Sequence, residues 1–172
     1  MLRTSATLLA PLLCALSLGS FADPAPAPGP GAIIDLHVRI FRALDTVDPA
    51  ALRDELALGD DFVVYGPGPN GPVRAQGEAE VWNWFKDAFE ATKAAGGTFS
   101  TKITWSHADC HSPELGYGLI EFTRTQVKDG VTTEAHFRAT ALASWDKGHC
   151  RLRHWHLTSI PHEPRAVPSK GG

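Results

Sequence analysis

Apolar residues recur along the chain with two different periods, and the change from one to the other separates a helical part from a strand-rich part. In the first part they recur every three or four residues, which is typical of helices with one buried face. The first such segment predicts a helix whose buried face carries Ile33, His37, Ile40, Phe41 and Leu44. Residues 78–95 predict the longest helix, and Gly96-Gly97 follows as a stop signal.

Turn-forming residues mark shorter elements between these two helices. Asp48 followed by Pro49 predicts the start of a second, short helix, because Asp caps a helix and Pro suits its first turn. Phe62–Tyr65 predicts a strand that the Pro- and Gly-rich residues 66–72 interrupt, with a short return strand at Val73–Ala75.

Beyond residue 97 the period changes to two. Four runs predict strands, at residues 98–110, 115–128, 131–145 and 150–159, and Asp129-Gly130 and Lys147-Gly148 are typical of hairpin turns. The order of elements predicts an α+β domain in which helices cover one face of a curved, antiparallel sheet.

The last hairpin predicts which side chains share the buried face of this sheet. With Lys147-Gly148 at the centre of the turn, Trp145 pairs with Cys150 and alternation places His154 and His156 on the buried face, opposite Ala141 and Ala139. A shift of the register by one residue at the turn would instead bring Arg138 and Thr140 beside the two histidines, and this alternative stays open.

Composition divides the 172 residues further. An early Arg3, an apolar run from Leu8 to Leu18 and a small-x-small ending at Ala22 are typical of a signal peptide, residues 1–22, so we expect export to the periplasm or the medium. Residues 23–32 alternate Pro with Ala or Gly and predict a spacer. The expected domain spans residues 33–160, and residues 161–172 predict a flexible tail.

Charge and cysteine content narrow the possible partners. The net charge of −3 argues against a nucleic-acid surface, and the leader is too short to anchor the protein in a membrane. Cys110 and Cys150 lie at the ends of two strands that sequential pairing puts about 14 Å apart. A disulfide tolerates a Cα separation of about 7 Å, so we expect two free thiols.

His154 and His156 are the main candidates for chemistry, since alternate residues of a strand point the same way, about 6.5–7 Å apart. Three interpretations stay open: metal ligands, for which no third donor is evident; general acid and base groups; or histidines that line a cavity without chemistry. Glu121 becomes a general base if it faces inward. No nucleophile motif or phosphate-binding loop is present, and we expect no metal and no cofactor.

Other side chains are candidates for the wall of a ligand pocket. Tyr65 could present its hydroxyl at the mouth of a cavity or serve packing alone. His37 shares the apolar face of the first helix, which favours a core histidine. The remaining pocket candidates are Trp82, Phe85, Trp105 and Arg138.

Four segments carry a resemblance to SnoaL-like domains of the nuclear transport factor 2-like superfamily, namely residues 45–52, 60–65, 76–79 and 138–159 with its closing His154-Trp155-His156-Leu157-Thr158-Ser159. The last segment is also similar to the closing strand of the association domain of calcium/calmodulin-dependent kinases. The resemblance covers residues 33–159 and implies a cone: a curved sheet around helices, with a pocket at the open end and frequent dimers through the sheet.

The resemblance implies several functions rather than one. Gly66, Ile40 and Thr140 stand where the family's ketosteroid isomerases have their catalytic groups, which makes that reaction an unexpected one here. We expect an exported domain that binds a small, largely apolar molecule. The alternatives are a cyclase, dehydratase or isomerase with His154 or His156 as acid or base and Tyr65 or Arg138 stabilising negative charge, and an oligomeric assembly module, such as a homodimer through the sheet.

Overall fold

The structure is a computed structural model that describes residues 29–68, 71–146 and 148–161. The predicted leader, most of the spacer and nearly all of the predicted tail lie outside these ranges. The elements follow the predicted order: α1 Pro30–Asp45, α2 Pro49–Asp54, β1 Val63–Gly68, β2 Gly71–Gln76, α3 Gly77–Ala95, β3 Thr98–Cys110, β4 Leu115–Lys128, β5 Val131–Asp146 and β6 His149–Ile160.

The ends of the helices follow the expected chemistry. The Asp48 carboxylate accepts hydrogen bonds from the backbone N–H groups of Ala50 and Ala51, so it caps α2 as predicted. The first helix begins at Pro30, which is inside the segment expected to be a spacer, because Pro is suited to the first turn of a helix. None of the helices in the described ranges combines the length and the apolarity needed to cross a bilayer.

The six strands form one open, mixed sheet in the order β2-β1-β6-β5-β4-β3. The strands β3 to β6 form the predicted antiparallel meander, whereas β1 pairs with β6 in parallel through Val63–Tyr65. The expectation of an antiparallel sheet is therefore corrected to a mixed one.

The expected break at Gly66 is also wrong, since β1 continues to Gly68 and β2 begins at Gly71. Pro67 and Pro72 face each other in this extension. They are tolerated because β2 is an edge strand and β1 has already left its partner β6 at Tyr65.

The helices cover one face of the sheet, here called the inner face, and the opposite face is the outer face. On the inner side α1 lies against β3, β4 and β6, and α3 lies against β1 and β2. Ile33 of α1 comes so close to β4 that a Cβ atom on Gly116 would lie 2.7 Å from the Ile33 Cδ1 atom, so this position excludes any larger residue. The largest completely buried side chains include Trp155, Phe62, Phe85 and Phe89.

The predicted register of the last hairpin is correct near the turn and wrong beyond it. Trp145 pairs with Cys150 and Ala143 with Leu152, as expected. An irregularity then leaves Arg153 without a partner, and Leu142 pairs with His154. This is a β-bulge, which reverses the faces of all residues that follow in β6. Trp155 therefore faces inward at 1% exposure, and His154 and His156 face outward.

Both cysteines in the described ranges are free, as expected. Cys150 is buried, and its burial raises the pKa of the thiol to about 11. The thiol is therefore almost entirely protonated at neutral pH, and Cys150 acts as a small apolar core residue.

Candidate functional site

The principal cavity lies between α3 and the inner face and has a volume of about 740 Å³. Its apolar wall is built mainly from aromatic and aliphatic side chains, among them Phe41, Leu44, Trp84, Phe122, Phe137, Trp155 and Leu157. Cavities of this volume and lining are typical of sites for small molecules.

The helix α3 contributes one complete stripe of the cavity. Residues Glu80, Asn83, Trp84, Asp87 and Ala91 follow each other at intervals of one to four positions and all line the cavity. This spacing places them along one side of the helix. Glu80, Asn83, Asp87 and Ala91 are exposed to solvent, whereas Trp84 is half-buried.

The indole of Trp84 occupies the space that a side chain at position 66 would need. A Cβ atom on Gly66 would lie 2.6 Å from the Trp84 Cζ2 atom, so only glycine leaves room for the indole. The Trp84 ring also contacts Phe85 edge-on at 5.0 Å between centroids and Trp155 at 6.3 Å. Position 66, where the resemblance implies a catalytic aspartate in related isomerases, is thus a packing site here.

Arg124 brings a half-buried positive charge to the cavity. Its Nε atom lies 3.4 Å from Oδ1 of Asp45, and its Nη2 atom donates to the hydroxyl of Thr92 at 3.1 Å. The guanidinium also lies 4.5 Å from the centroid of the Phe99 ring. Burial lowers the pKa of Arg124, and the neighbouring Asp45 opposes this shift.

Three buried polar atoms at or near the cavity lack a hydrogen-bond partner in the described residues. They are Nε1 of Trp155 and Nε of Arg124, which belong to lining residues, and Nε2 of His37 in the core. His37 is completely buried, and its Nδ1 atom lies 2.8 Å from the carbonyl oxygen of Ile33. Burial lowers the pKa of His37 to about 4, so the ring is neutral at pH 7.

The two histidines expected to line the cavity lie instead on the outer face, which is a correction to the predicted site. The bulge at Arg153 places His156 opposite Thr140. The ring of Tyr65 lies 6.1 Å from His154 and 5.9 Å from His156, between centroids. Partial burial, followed by repulsion from His156, lowers the pKa of His154. The open alternative, a shifted register that puts both Arg138 and Thr140 beside the histidines, is met only in part, because Thr140 lies opposite His156 but Arg138 lies opposite Thr158.

Glu121 and Arg138 also lie on the outer face, where they pair with each other. The Arg138 Nη2 atom donates to Oε1 of Glu121 at 2.6 Å, and its Nε atom donates to the same oxygen at 3.0 Å. Among the described residues no hydrogen bond joins Glu121 to His154 or His156. The expected acid–base group therefore does not assemble around the cavity.

The other predicted pocket residues are likewise outside the cavity lining. Phe85 and His37 are fully buried in the core. Trp105 is 49% exposed on the outer face, opposite Glu121, and Tyr65 is 41% exposed there. Trp82 lies on another side of α3, with the Arg53 guanidinium 4.9 Å from its ring centroid. None of the predicted site residues lines the principal cavity.

Sequence reasoning missed the residues that do line it, notably Trp84, Asp87, Arg124 and Trp155. A signal was present in α3, where Glu80, Asn83 and Asp87 form a polar stripe beside Trp84, Ala88 and Ala91. No comparable signal marked Arg124, which occupies an ordinary inner-face position of β4. Among the described residues, no group of three or more His, Cys, Asp or Glu side chains is arranged to hold a metal ion.

Comparison with known proteins identifies the fold. No protein-family model matches the chain, and no curated protein matches it. Several solved structures match the chain. A nuclear transport factor 2 (NTF2-like) superfamily protein from Salmonella enterica is 13% identical, with a TM-score of 0.62 over 83% of this chain and 96% of that one. A proposed dehydratase of the NTF2-like family from Streptomyces avermitilis is 14% identical, with a TM-score of 0.62 over 77% and 97% of the two chains.

A third similar structure is a proposed calcium/calmodulin-dependent protein kinase II association domain from Xanthomonas campestris, 17% identical, with a TM-score of 0.62 over 80% of this chain and 93% of that one. At these identities the likeness concerns the fold, which proteins of different function share. The likeness agrees with the observed order of helices and with the mixed sheet packed against them. The chain has the nuclear transport factor 2-like fold.

Proposed function

We propose that the protein binds a small, largely apolar molecule in the cavity between α3 and the inner face. The observation that carries the proposal is the cavity of about 740 Å³ with its wall of Phe41, Trp84, Phe122, Phe137 and Trp155. Aromatic walls of this kind gain free energy when they exchange water for an apolar ligand.

Two tryptophans of the wall provide a direct test. N-phenyl-1-naphthylamine, a neutral fluorescent probe, is expected to bind saturably and to change the emission of Trp84 and Trp155. The variant Ala91→Trp puts a large side chain on the cavity side of α3 and is expected to abolish binding. The matched variant Ala94→Trp changes an exposed position outside the lining and should leave binding intact. Equal binding by the two variants would exclude the cavity as the site.

We also propose that this binding takes place after export. Support comes from the leader pattern of residues 1–22 alone. When the full chain is expressed in a Gram-negative host, the periplasmic fraction is expected to contain a protein that begins at Asp23. Recovery of the chain only from the cytosol, with Met1 or Leu2 at its amino terminus, would contradict export.

A second candidate function is self-association through the outer face. Three of the exposed large hydrophobic residues lie on this face, namely Tyr65, Trp105 and Leu142, at 41%, 49% and 38% exposure. A homodimer would cover them, as an assembly module of this fold requires. Sedimentation of the wild type is expected to show a dimer that Leu142→Asp dissociates. The control Val131→Asp, in the β4–β5 hairpin, should not dissociate it. A monomeric wild type at high concentration would refute this candidate.

The enzyme alternative based on His154 and His156 receives no support from the cavity. An acid–base group must lie within hydrogen-bond reach of the proton that it transfers, directly or through one water molecule. Both imidazoles lie on the opposite side of the sheet from the cavity, so neither can act on a molecule bound there.

A further inference from the structure

The charges around the cavity are not balanced, and the imbalance bears on what the cavity binds. Arg124 is the most buried charged group of the lining, and Asp45 accompanies it at 3.4 Å. The Asp45 carboxylate is itself held by the hydroxyl of Thr101 at 2.9 Å. The positive charge of Arg124 is therefore neutralised within the protein and does not favour an anionic ligand.

Arg74 is the second basic residue of the lining, but its guanidinium group binds two side chains that lie outside the lining. Its Nε atom donates to the hydroxyl of Tyr65 at 3.1 Å, and its Nη2 atom donates to the side chain of Gln76. The Tyr65 ring lies on the outer face, against His154 and His156. The guanidinium of Arg74 is thus held toward the outer face by the side chains of Tyr65 and Gln76.

The acidic residues of the lining have no such compensation. One oxygen of Glu80 accepts the backbone N–H of Gln76 at 3.0 Å, and in the described part of the chain no cation pairs with this carboxylate. No hydrogen bond or ion pair reaches Asp87 or Asn83 within the described residues. All three side chains lie on the stripe of α3 that borders the cavity, so two unpaired negative charges and a free amide face whatever binds there.

We propose that the cavity selects ligands that carry a protonated amine on an apolar body. The apolar part contacts the aromatic wall, and the ammonium group lies at Asp87, with Glu80 adding a second negative charge and the Asn83 carbonyl an acceptor. A carboxylate ligand of the same shape is repelled by the same two groups. This inference rests on the proposed function, because it assigns the chemistry of the ligand that the cavity takes.

Three probes of matched shape test the charge preference: 4-phenylbutylamine, 4-phenylbutan-1-ol and 4-phenylbutanoate, titrated calorimetrically at pH 7 and low salt. The amine is expected to bind about tenfold more tightly than the acid, with the alcohol between them. The preference is expected to shrink as salt is added, since Asp87 and Glu80 are exposed to solvent.

A pair of charge-matched variants tests the assignment to Asp87. The change Asp87→Asn should remove most of the preference for the amine over the acid, and it should change the affinity for the alcohol less than the affinity for the amine. The change Glu90→Gln removes the same charge from the same helix, at a residue outside the lining that pairs with Lys93 at 2.8 Å. It should leave the preference intact. An equal loss in both variants would overturn the assignment to the cavity.

The outcomes separate this inference from the function on which it rests. Equal affinity for the three probes overturns the charge preference and leaves apolar binding in the cavity standing. Absence of binding by all three probes, and by N-phenyl-1-naphthylamine, overturns both.

Discussion

Gly66 lies directly beneath the indole of Trp84, with space for a hydrogen atom but not for a methyl group. A Cβ atom at this position would lie 2.6 Å from the ring, which is shorter than the contacts that Cβ atoms make in real structures. The residue is therefore fixed by the side chain of another element, which itself forms part of the cavity wall.

Gly66→Ala is expected to displace Trp84 and to lower the free energy of unfolding by about 1–3 kcal/mol, the usual cost of an extra methyl group in a packed site. Because Trp84 borders the cavity, the affinity for N-phenyl-1-naphthylamine should fall as well. Urea unfolding followed by tryptophan fluorescence measures the first effect, and a probe titration measures the second.

Gly31→Ala provides the control, since a Cβ atom at Gly31 meets nothing within 4 Å. This variant should be as stable as the wild type or slightly more stable, because alanine favours a helix over glycine. If Gly66→Ala were equally neutral, the indole would have room to move and position 66 would not be fixed by packing.

The long elements could be predicted because a period repeated many times outweighs local exceptions. The predicted strand at residues 98–110 coincides with β3 and that at 115–128 with β4, and the longest helix differs from α3 by one residue. The Pro-rich hairpin was harder, since Pro67 and Pro72 are compatible with strands only at the edge that β2 provides. An edge position is a property of the assembled sheet and not of the local sequence.

The candidate site was predicted far less well than the fold, because one inserted residue decides which side chains face the cavity. Counting by twos from Leu152 leads to His154 and His156, whereas the bulge at Arg153 makes Trp155 the inward residue. A trace of the bulge is present in the sequence. Cys150 and Leu152 have one parity and Trp155 and Leu157 the other, so the apolar alternation itself changes phase between Leu152 and Trp155.

Deletion of Arg153 is expected to test the bulge directly. Without the extra residue β6 would pair regularly with β5, with His154 still opposite Leu142 and Trp155 still opposite Ala141 on the inner face. The expected loss of unfolding free energy is therefore well below the roughly 3–5 kcal/mol that removal of a buried tryptophan side chain costs. Urea unfolding of the deletion variant measures it.

The substitution Arg153→Ala keeps the extra residue and removes only the exposed ion pair with Asp61. Its stability should remain close to that of the wild type, because exposed ion pairs contribute little. A loss of about 3 kcal/mol or more in Arg153→Ala would indicate that the Arg153 side chain, and not the residue count, maintains the register.

His37 is expected to make the stability of the protein depend on pH. Its pKa is about 4 in the folded protein, because burial disfavours the charged ring, and about 6.5 in an unfolded chain. Between these values the unfolded state binds a proton that the folded state does not. The contribution is therefore complete above pH 6.5 and is lost as the pH falls toward 4, by about 3 kcal/mol in all.

The change His37→Leu should remove this part of the pH dependence, measured as the difference between wild-type and variant unfolding free energies at pH 7, 5.5 and 4.5. The variant His111→Leu, at an exposed position, is the control and should retain the wild-type slope. A wild-type slope that persisted in His37→Leu would show that other groups cause the sensitivity to acid.

Asp45→Asn is expected to change both the stability and the ligand preference of the cavity. In the variant the Thr101 hydroxyl can still donate to the side-chain oxygen at position 45. The negative charge beside the half-buried guanidinium of Arg124 is lost. Unfolding free energy should fall by about 1–2 kcal/mol, since the pair is only partly exposed to solvent. The uncompensated Arg124 should then favour anions, so 4-phenylbutanoate should bind more tightly than it does to the wild type and 4-phenylbutylamine less tightly.

The control is Asp54→Asn, which removes the same charge from an exposed residue outside the lining and should alter neither affinity. Parallel shifts in the two variants would mean that net charge, and not the Asp45–Arg124 pair, determines what the cavity accepts.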